Sequence, residues 1–369
     1  MIRNFKRTAA IFGLIAASST ALVACSESSD SGSSDSAQGD SSVSGTLVGE
    51  GASSQQNAMS VFQKAFIEKY PDADLSYTAS GSGAGVEAFI NGTATFAGSD
   101  SPLDEEDGEV TSANERCGGN DAWHLPSTIG PVAIAYHLEG VDQTVNLTTE
   151  SIAKIFKGEI KKWNDPAIAD ANEGVELPDK DITVVFRSDE SGTSDNFQKF
   201  LKAATGEWDS EGKQFPDAVG EGANGSSGVA DQVASIDGAI TYVEAGFAKQ
   251  KENVSTAAID FGHGPVELSN DSVAKALDNL AFKETNSEHD MVVDADALFS
   301  SDAEGAYPLI LTTYNIVCSA GYDESEAALV KAFFETVLDN QSTELEDAGF
   351  IPVSGAHLDR LKAAVEALA

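Results

Sequence analysis

Apolar residues fall into short β-branched runs and longer stretches of helical period, and the two alternate along the chain. Thr46-Leu47-Val48 predicts a strand and Gly49 to Ser54 a turn; Ala58, Val61, Phe62, Ala65 and Phe66 then share one helical face. Leu75-Ser76-Tyr77 predicts a second strand. Ser80-Gly81-Ser82-Gly83-Ala84-Gly85 leads from it into a helix with Val86, Phe89 and Ile90 inward. Thr95 to Gly98 makes a third strand, which delivers Ser99-Asp100-Ser101-Pro102 at its carboxyl end. Further on, Val132 to Tyr136 predicts a strand and Thr149 to Phe156 a helix. Ile182 to Phe186 reads as a buried strand, and Phe197, Phe200 and Leu201 return to helical spacing after it, so residues 187–197 form a strand–turn–helix junction. Asn224 to Val229 is a Gly-rich helix start and Ile240 to Val243 another strand. Tyr307 to Val317 is a long strand-like run, and two amphipathic helices near 325–339 and 355–368 close the chain.

Strands alternating with helices imply an α/β fold on mostly parallel sheet, in which ligands bind at the carboxyl ends of strands and at helix N-termini. Four segments place glycines, small hydroxyl residues, one Asp and one Arg at that edge: 49–54, 80–85, 99–102 and 187–193. Ser191, Gly192 and Thr193 stand at a helix N-terminus, whose outward N–H groups find no partner inside the helix. Such an end attracts oxyanions, and the Arg187 fork can grip two oxygens of one anion. One turn of this kind is an ordinary capped helix. Four, with Arg187 as the only obvious cation, describe a recessed oxyanion site.

The length of 369 residues suffices for two domains with separate cores. Sixty acidic against 22 basic residues, a net −38, speak against nucleic acid and anionic lipid as partners. Any anion must therefore be held by local dipoles against the overall field. Residues 1–24 carry Arg3, Lys6 and Arg7, then an apolar stretch from Ala9 to Ala17 too short to span a bilayer. They end at Leu22-Val23-Ala24-Cys25, which resembles a bacterial lipoprotein box; 1–24 are expected to be a cleaved signal peptide and Cys25 the lipidated N-terminus. Cleavage leaves 19 basic against 60 acidic residues, a net −41. Residues 26–44 hold ten Ser, two Gly, three Asp and one Glu in nineteen positions, so 25–44 reads as a flexible tether to a membrane lipid anchor. No later stretch approaches 18 consecutive apolar residues. Cys117 and Cys318 remain; in an exported chain they most simply form one disulfide, the alternative being two buried thiols.

Signatures of catalysis are missing from the pattern. His124, His137, His263, His289 and His357 show no i,i+4 pairing and read as surface or structural residues. There is no G-x-S-x-G elbow, no P-loop and no cysteine pair at zinc spacing, so neither a metal nor a cofactor is expected. Gly49 and Gly51 open a dinucleotide-like motif, but its third glycine position is Ser54, which removes that reading. The hydroxyls of Ser82, Ser191 and Thr193 come without an activating base, and an enzyme is not expected.

Phe96-Ala97-Gly98-Ser99-Asp100-Ser101-Pro102-Leu103, Ile155-Phe156-Lys157-Gly158 with Lys162-Trp163-Asn164-Asp165, and Arg187 to Thr193 stand in one order along the chain. With Gly225 to Val229, Ile240 to Glu244 and Ala306-Tyr307-Pro308, they resemble the PstS-type periplasmic phosphate-binding proteins. These are the substrate-binding component of a phosphate ABC importer, here in lipoprotein form, and the likeness covers almost the whole mature body. It implies a two-lobed periplasmic-binding-protein-like fold, each lobe a mostly parallel sheet flanked by helices, joined by a hinge. Lobe I would comprise 45–128 plus 308–369 and lobe II 129–307, which puts Cys117 and Cys318 in one lobe and suits a bridge. The implied phosphate contacts are Ser53, Ser54, Ser82, Asp100, Arg187, Ser191, Gly192 and Thr193, with Asp189 steadying Arg187. The implied partners are inorganic phosphate and a membrane-embedded ABC permease with its ATPase subunits, at the extracytoplasmic face of a bacterial cell membrane. The family usually has Thr-Phe at Ser53-Ser54; the first hydroxyl survives, and any residue but proline supplies the second amide. It often has Gly at Glu190, which either points to solvent or lowers affinity here.

Phosphate at neutral pH keeps a proton and sulfate keeps none. An ionised Asp100 only accepts, so it welcomes P–O–H and repels a bare oxyanion. Rival readings are a receptor for another tetrahedral oxyanion such as sulfate or molybdate, which Asp100 opposes, and a phosphate-ester enzyme, which the missing base opposes. A surface adhesin or signalling lipoprotein is a fourth.

Overall fold

A computed structural model describes residues 43–278, 280–300 and 303–369. The expected signal peptide 1–24, the lipidation site Cys25 and the tether up to residue 42 lie outside the described residues. Val43 is already buried in the main core, so packing starts just before Gly45.

The first wing of the sheet is parallel, β1 (Gly45–Gly51) lying between β2 (Ala73–Thr78) and β3 (Phe96–Ser99). The chain then runs through β4 (Ala122–Tyr136), 15 residues buried throughout. After β5 (Asn146–Thr148) come β6 (Thr183–Arg187), β7 (Glu221–Ala223) and β8 (Ala239–Glu244), a second parallel wing in the order β8-β6-β7. The short β9 (Ser255–Thr256) pairs with β4, while β10 (Ala258–Asp260) and β11 (Pro265–Val266) join β5 in a separate three-stranded sheet. Finally β12 (Ile310–Cys318) returns between β3 and β4 to complete a nine-stranded sheet, antiparallel to both. The expected parallel order thus holds within each wing, and the seam between them is antiparallel. Along β4, residues 122–131 pair with β12 and residues 132–136 with β8, so one strand belongs to both wings.

Sequence reasoning reached only the last third of β4, because Pro126, Gly130 and Pro131 read as breakers. The ladder accommodates Pro126, which has no N–H to give, through a bulge in β4: Pro126 and Thr128 oppose the consecutive residues Tyr314 and Thr313, and Ser127 between them has no register partner.

Helices cover both faces. In Gln56–Lys69 Ala58, Phe62 and Phe66 of the expected stripe are buried, Val61 and Ala65 are half-buried at its margin, and Met59, not expected there, is buried with them. Phe66 meets Phe333 edge-on at 5.3 Å, and Phe96 of β3 meets Phe334 at 5.4 Å, which seats helix Glu324–Asp339 against the first wing. In the second wing Phe197 stacks on Tyr242 of β8 at 4.5 Å and meets Phe156 at 4.9 Å. Those rings fix the start of helix Gly192–Thr205 over the ends of β6 and β8. A disulfide joins Cys117, at the end of helix Glu109–Arg116, to Cys318, the last residue of β12.

Candidate anion-binding site

Six chain turns converge where the two wings meet. After β1 the backbone makes a 3₁₀ turn at Ser53–Gln55; after β2, helix Ser82–Ile90 begins. Asp100 follows β3, while Arg187 ends β6 and leads to helix Gly192–Thr205. Helix Gly225–Ser235 follows β7, and Glu244 ends β8. Each turn is built locally. Ser191 is the N-cap of its helix and accepts from the Ser194 amide at 3.2 Å. Gly81, at φ 103°, passes where a Cβ would stand 2.6 Å from Asp189 Oδ2 of the other wing.

Asp100 is the centre of the hydrogen bonding. Its Oδ1 accepts short bonds from the hydroxyls of Ser54 (2.6 Å) and Thr313 (2.7 Å). Its Oδ2 has only two long contacts, to the hydroxyls of Ser82 and Thr193 at 3.4 Å each. Ser82 Oγ accepts from the amides of Asp100 and Gly192, both at 3.1 Å, and so ties β3 to the second wing. The Ser226 amide donates to Ser53 Oγ at 3.0 Å, a second link across the seam. Thr193 gives its proton to Glu244 Oε1 at 2.7 Å.

Arg187 is held on one side by Asp189, through Nε at 2.8 Å and through Nη2, while Nη1 turns toward Ser226 Oγ (3.2 Å) and Thr193 Oγ1 (3.5 Å). The Gly225 amide donates to Asp189 as well. Burial works against the guanidinium's charge, but Asp189 more than offsets this and holds it above its ordinary value. For Asp189 burial is likewise outweighed by Arg187, and its carboxyl sits below the usual range. Asp100 behaves oppositely. Burial, reinforced by the nearby Glu244 charge, pushes it up to about 6 against the bonds from Ser54 and Thr313.

All eight residues expected to contact an anion lie in this cluster, and all are buried. The hydroxyl of Ser191 is engaged in its cap, and that of Ser53 bonds Ser226 Oγ at 3.1 Å. Asp189 bonds Nε and Nη2 of Arg187. Glu190 has an exposed side chain that lies over Gly83, and its carbonyl accepts from the Gly83 amide at 3.1 Å. Ser226, Thr313 and Glu244 were missed. Ser226 had a signal in the Gly-rich helix start, and Glu244 stood at the carboxyl end of a predicted strand. Thr313, inside a long apolar run, had none. Among the described residues no group of His, Cys, Asp and Glu could hold a metal ion. His124 is turned to Asp290 and to the Leu103 amide.

Residues 36–341 match the model of a PBP superfamily domain. The phosphate-binding protein PstS2 of Mycobacterium bovis is 39% identical over 372 residues, covering 99% of this chain and all of its own. The phosphate-binding protein PstS 3 of Mycobacterium leprae is 42% identical over 327 residues, 88% of this chain and 87% of its own. Among solved structures, PfluDING, a high-affinity periplasmic phosphate-binding protein with phosphate bound, aligns with a TM-score of 0.68 at 21% identity. It covers 86% of this chain and 93% of its own, a likeness of fold.

Proposed function

The chain belongs to the PstS-type phosphate-binding proteins of the PBP superfamily, and from that premise we propose that it captures inorganic phosphate outside the membrane. It then hands the ion to a membrane-embedded ABC permease and its ATPase subunits. The observation that carries this reading is the pairing of Asp100 with Arg187 in one buried cluster that also holds Ser82, Thr193 and the start of helix Gly192–Thr205.

In this reading Arg187 Nη1 and the amides of Ser54 and Thr193 hold the ion, and Asp100 tests it. Ser54 and Thr313 occupy Oδ1, which leaves Oδ2 to accept the P–O–H. Sulfate would leave that buried carboxylate facing an oxyanion with no proton between them, a penalty of roughly several kcal/mol. Each hydroxyl of the cluster is engaged by a carboxylate, another hydroxyl or a backbone group, and none by an imidazole, which favours a receptor over a phosphate-ester enzyme.

Capture would run through closure of two lobes, 45–128 with 308–369 and 129–307, about the seam strands. Support lies in β4, which pairs first with β12 and then with β8, so that bending there would part the Ser82–Gly192 and Ser53–Ser226 links. A lipid on Cys25 would keep the receptor at the extracytoplasmic face of the membrane; the support is the Leu22-Val23-Ala24-Cys25 sequence. Among the described residues no helix is long and apolar enough to cross a membrane.

Calorimetry with phosphate, sulfate and a phosphate monoester tests the function. One phosphate should bind per chain, with sulfate weaker by about a hundredfold or more. Equal binding of sulfate, or turnover of the ester, would overturn the reading. Phosphate uptake by a deletion strain separates transport from adhesion or signalling.

A further inference from the structure

Glu244 is a second carboxylate at the site, only 1% exposed. Its environment repeats that of Asp100. One oxygen of each is taken by protein hydroxyls: Oδ1 of Asp100 by Ser54 and Thr313, Oε1 of Glu244 by Thr193. The other oxygen is left over, Oδ2 with two long contacts and Oε2 with no hydrogen-bond partner among the described residues. A buried carboxylate oxygen without a donor is costly, and its proximity to an oxyanion site makes a proton on the ion the natural donor. Thr193 Oγ1 connects the two carboxylates, bonding Glu244 Oε1 at 2.7 Å and lying 3.4 Å from Asp100 Oδ2.

Charge points the same way. The single guanidinium of Arg187 is already doubly bonded to Asp189, and it faces Asp100 and Glu244 besides. On the adjoining helix Thr193 bonds Glu244, and Arg187 Nη1 turns to Ser226 of helix Gly225–Ser235. Asp195 lies farther along the Thr193 helix, paired with Lys199, and Val132 is the β4 register partner. None of these adds a free positive charge. A dianion would therefore enter a buried site already rich in carboxylate, whereas a monoanion carrying two P–O–H groups matches two open acceptors.

We propose that Glu244 is a second specificity-determining acceptor, and that the ion is held as dihydrogen phosphate, one P–O–H on Asp100 Oδ2 and the other on Glu244 Oε2. This rests on the phosphate-receptor reading. Above neutral pH, where the free ion is mostly HPO₄²⁻, binding then takes one proton from the buffer onto the ion.

The test is calorimetric titration of phosphate into the full chain in two buffers of different ionisation enthalpy, with Kd followed from slightly acid to alkaline pH. Wild type should take up about one proton per ion at alkaline pH, and its Kd should rise about tenfold per pH unit there. Glu244→Gln keeps an oxygen for the Thr193 hydroxyl and removes the charge. It should bind with uptake near zero and a nearly flat Kd. Equal uptake in wild type and variant, or none in wild type, overturns the inference. If the variant does not fold, the wild-type proton count still decides. Absence of phosphate binding by wild type at every pH would instead overturn the receptor reading, so the two failures are distinguishable.

Discussion

Asp100 shows how much of the proposed selectivity can reside in one side chain. The strand Thr95 to Gly98 and the turn after it were enough to place an acid at the ligand edge. Its two short bonds, from residues 46 positions before and 213 after it, were not readable in any local pattern. Asp100→Asn should lower the phosphate-to-sulfate preference about tenfold or more while the fold persists. Competition binding checks this, and unchanged selectivity would remove Asp100 from its role. Its titration has a second consequence. Burial and Glu244 raise the native carboxyl from 3.8 to about 6, so between those values the native state binds more protons than the unfolded chain. Stability of the ligand-free protein should therefore fall as pH rises through that window, by about 3 kcal/mol from this group. Urea unfolding across the window, wild type against Asp100→Asn, isolates the effect; parallel profiles would refute it.

Helix Gly192–Thr205 owes its position to the ring stack of Phe197 on Tyr242 and its close approach to the first wing to a missing side chain. A Cβ on Gly192 would stand 2.6 Å from both Asp100 Cβ and Ser82 Oγ, the residues that meet the helix start. Gly192→Val is expected to hold the wings apart and weaken phosphate about tenfold to a hundredfold, with little change in ligand-free melting because the clash is relieved by opening. Calorimetry beside thermal melts checks it, and wild-type affinity would show the approach to be dispensable. The helix itself was legible from Ser191 and the spacing of Phe197, Phe200 and Leu201. Strand β4 was not, since its prolines and glycine argue against a strand locally, and the ladder passes Pro126 with a bulge at Ser127 of β4, opposite Thr313 and Tyr314 of β12. That bulge lies beside Thr313, a member of the site.

For the molecule as a whole, the Cys117–Cys318 bridge closes a loop with a sequence separation of 201; the second wing lies wholly within it, while β1, β2 and β3 precede it. Chain entropy assigns such a closure about 5 kcal/mol. Reduction, or Cys117→Ala with Cys318→Ala, should lower the melting temperature by several degrees or more while leaving phosphate affinity nearly unchanged. A melting curve indifferent to reductant would show the bridge to be unimportant to stability.

The residues alone determined the alternation of strand and helix, the edge at which Ser82, Asp100, Arg187 and Thr193 would stand, and the anionic character of what they could hold. They could do so because periodicity, capping and turn chemistry act over a few neighbouring positions. Only tertiary structure decided that Thr313, Ser226 and Glu244 join them, and that burial would shift Asp100. Those facts depend on which distant segments come within a few ångströms of one another and exclude water, and that is a property of the packed chain.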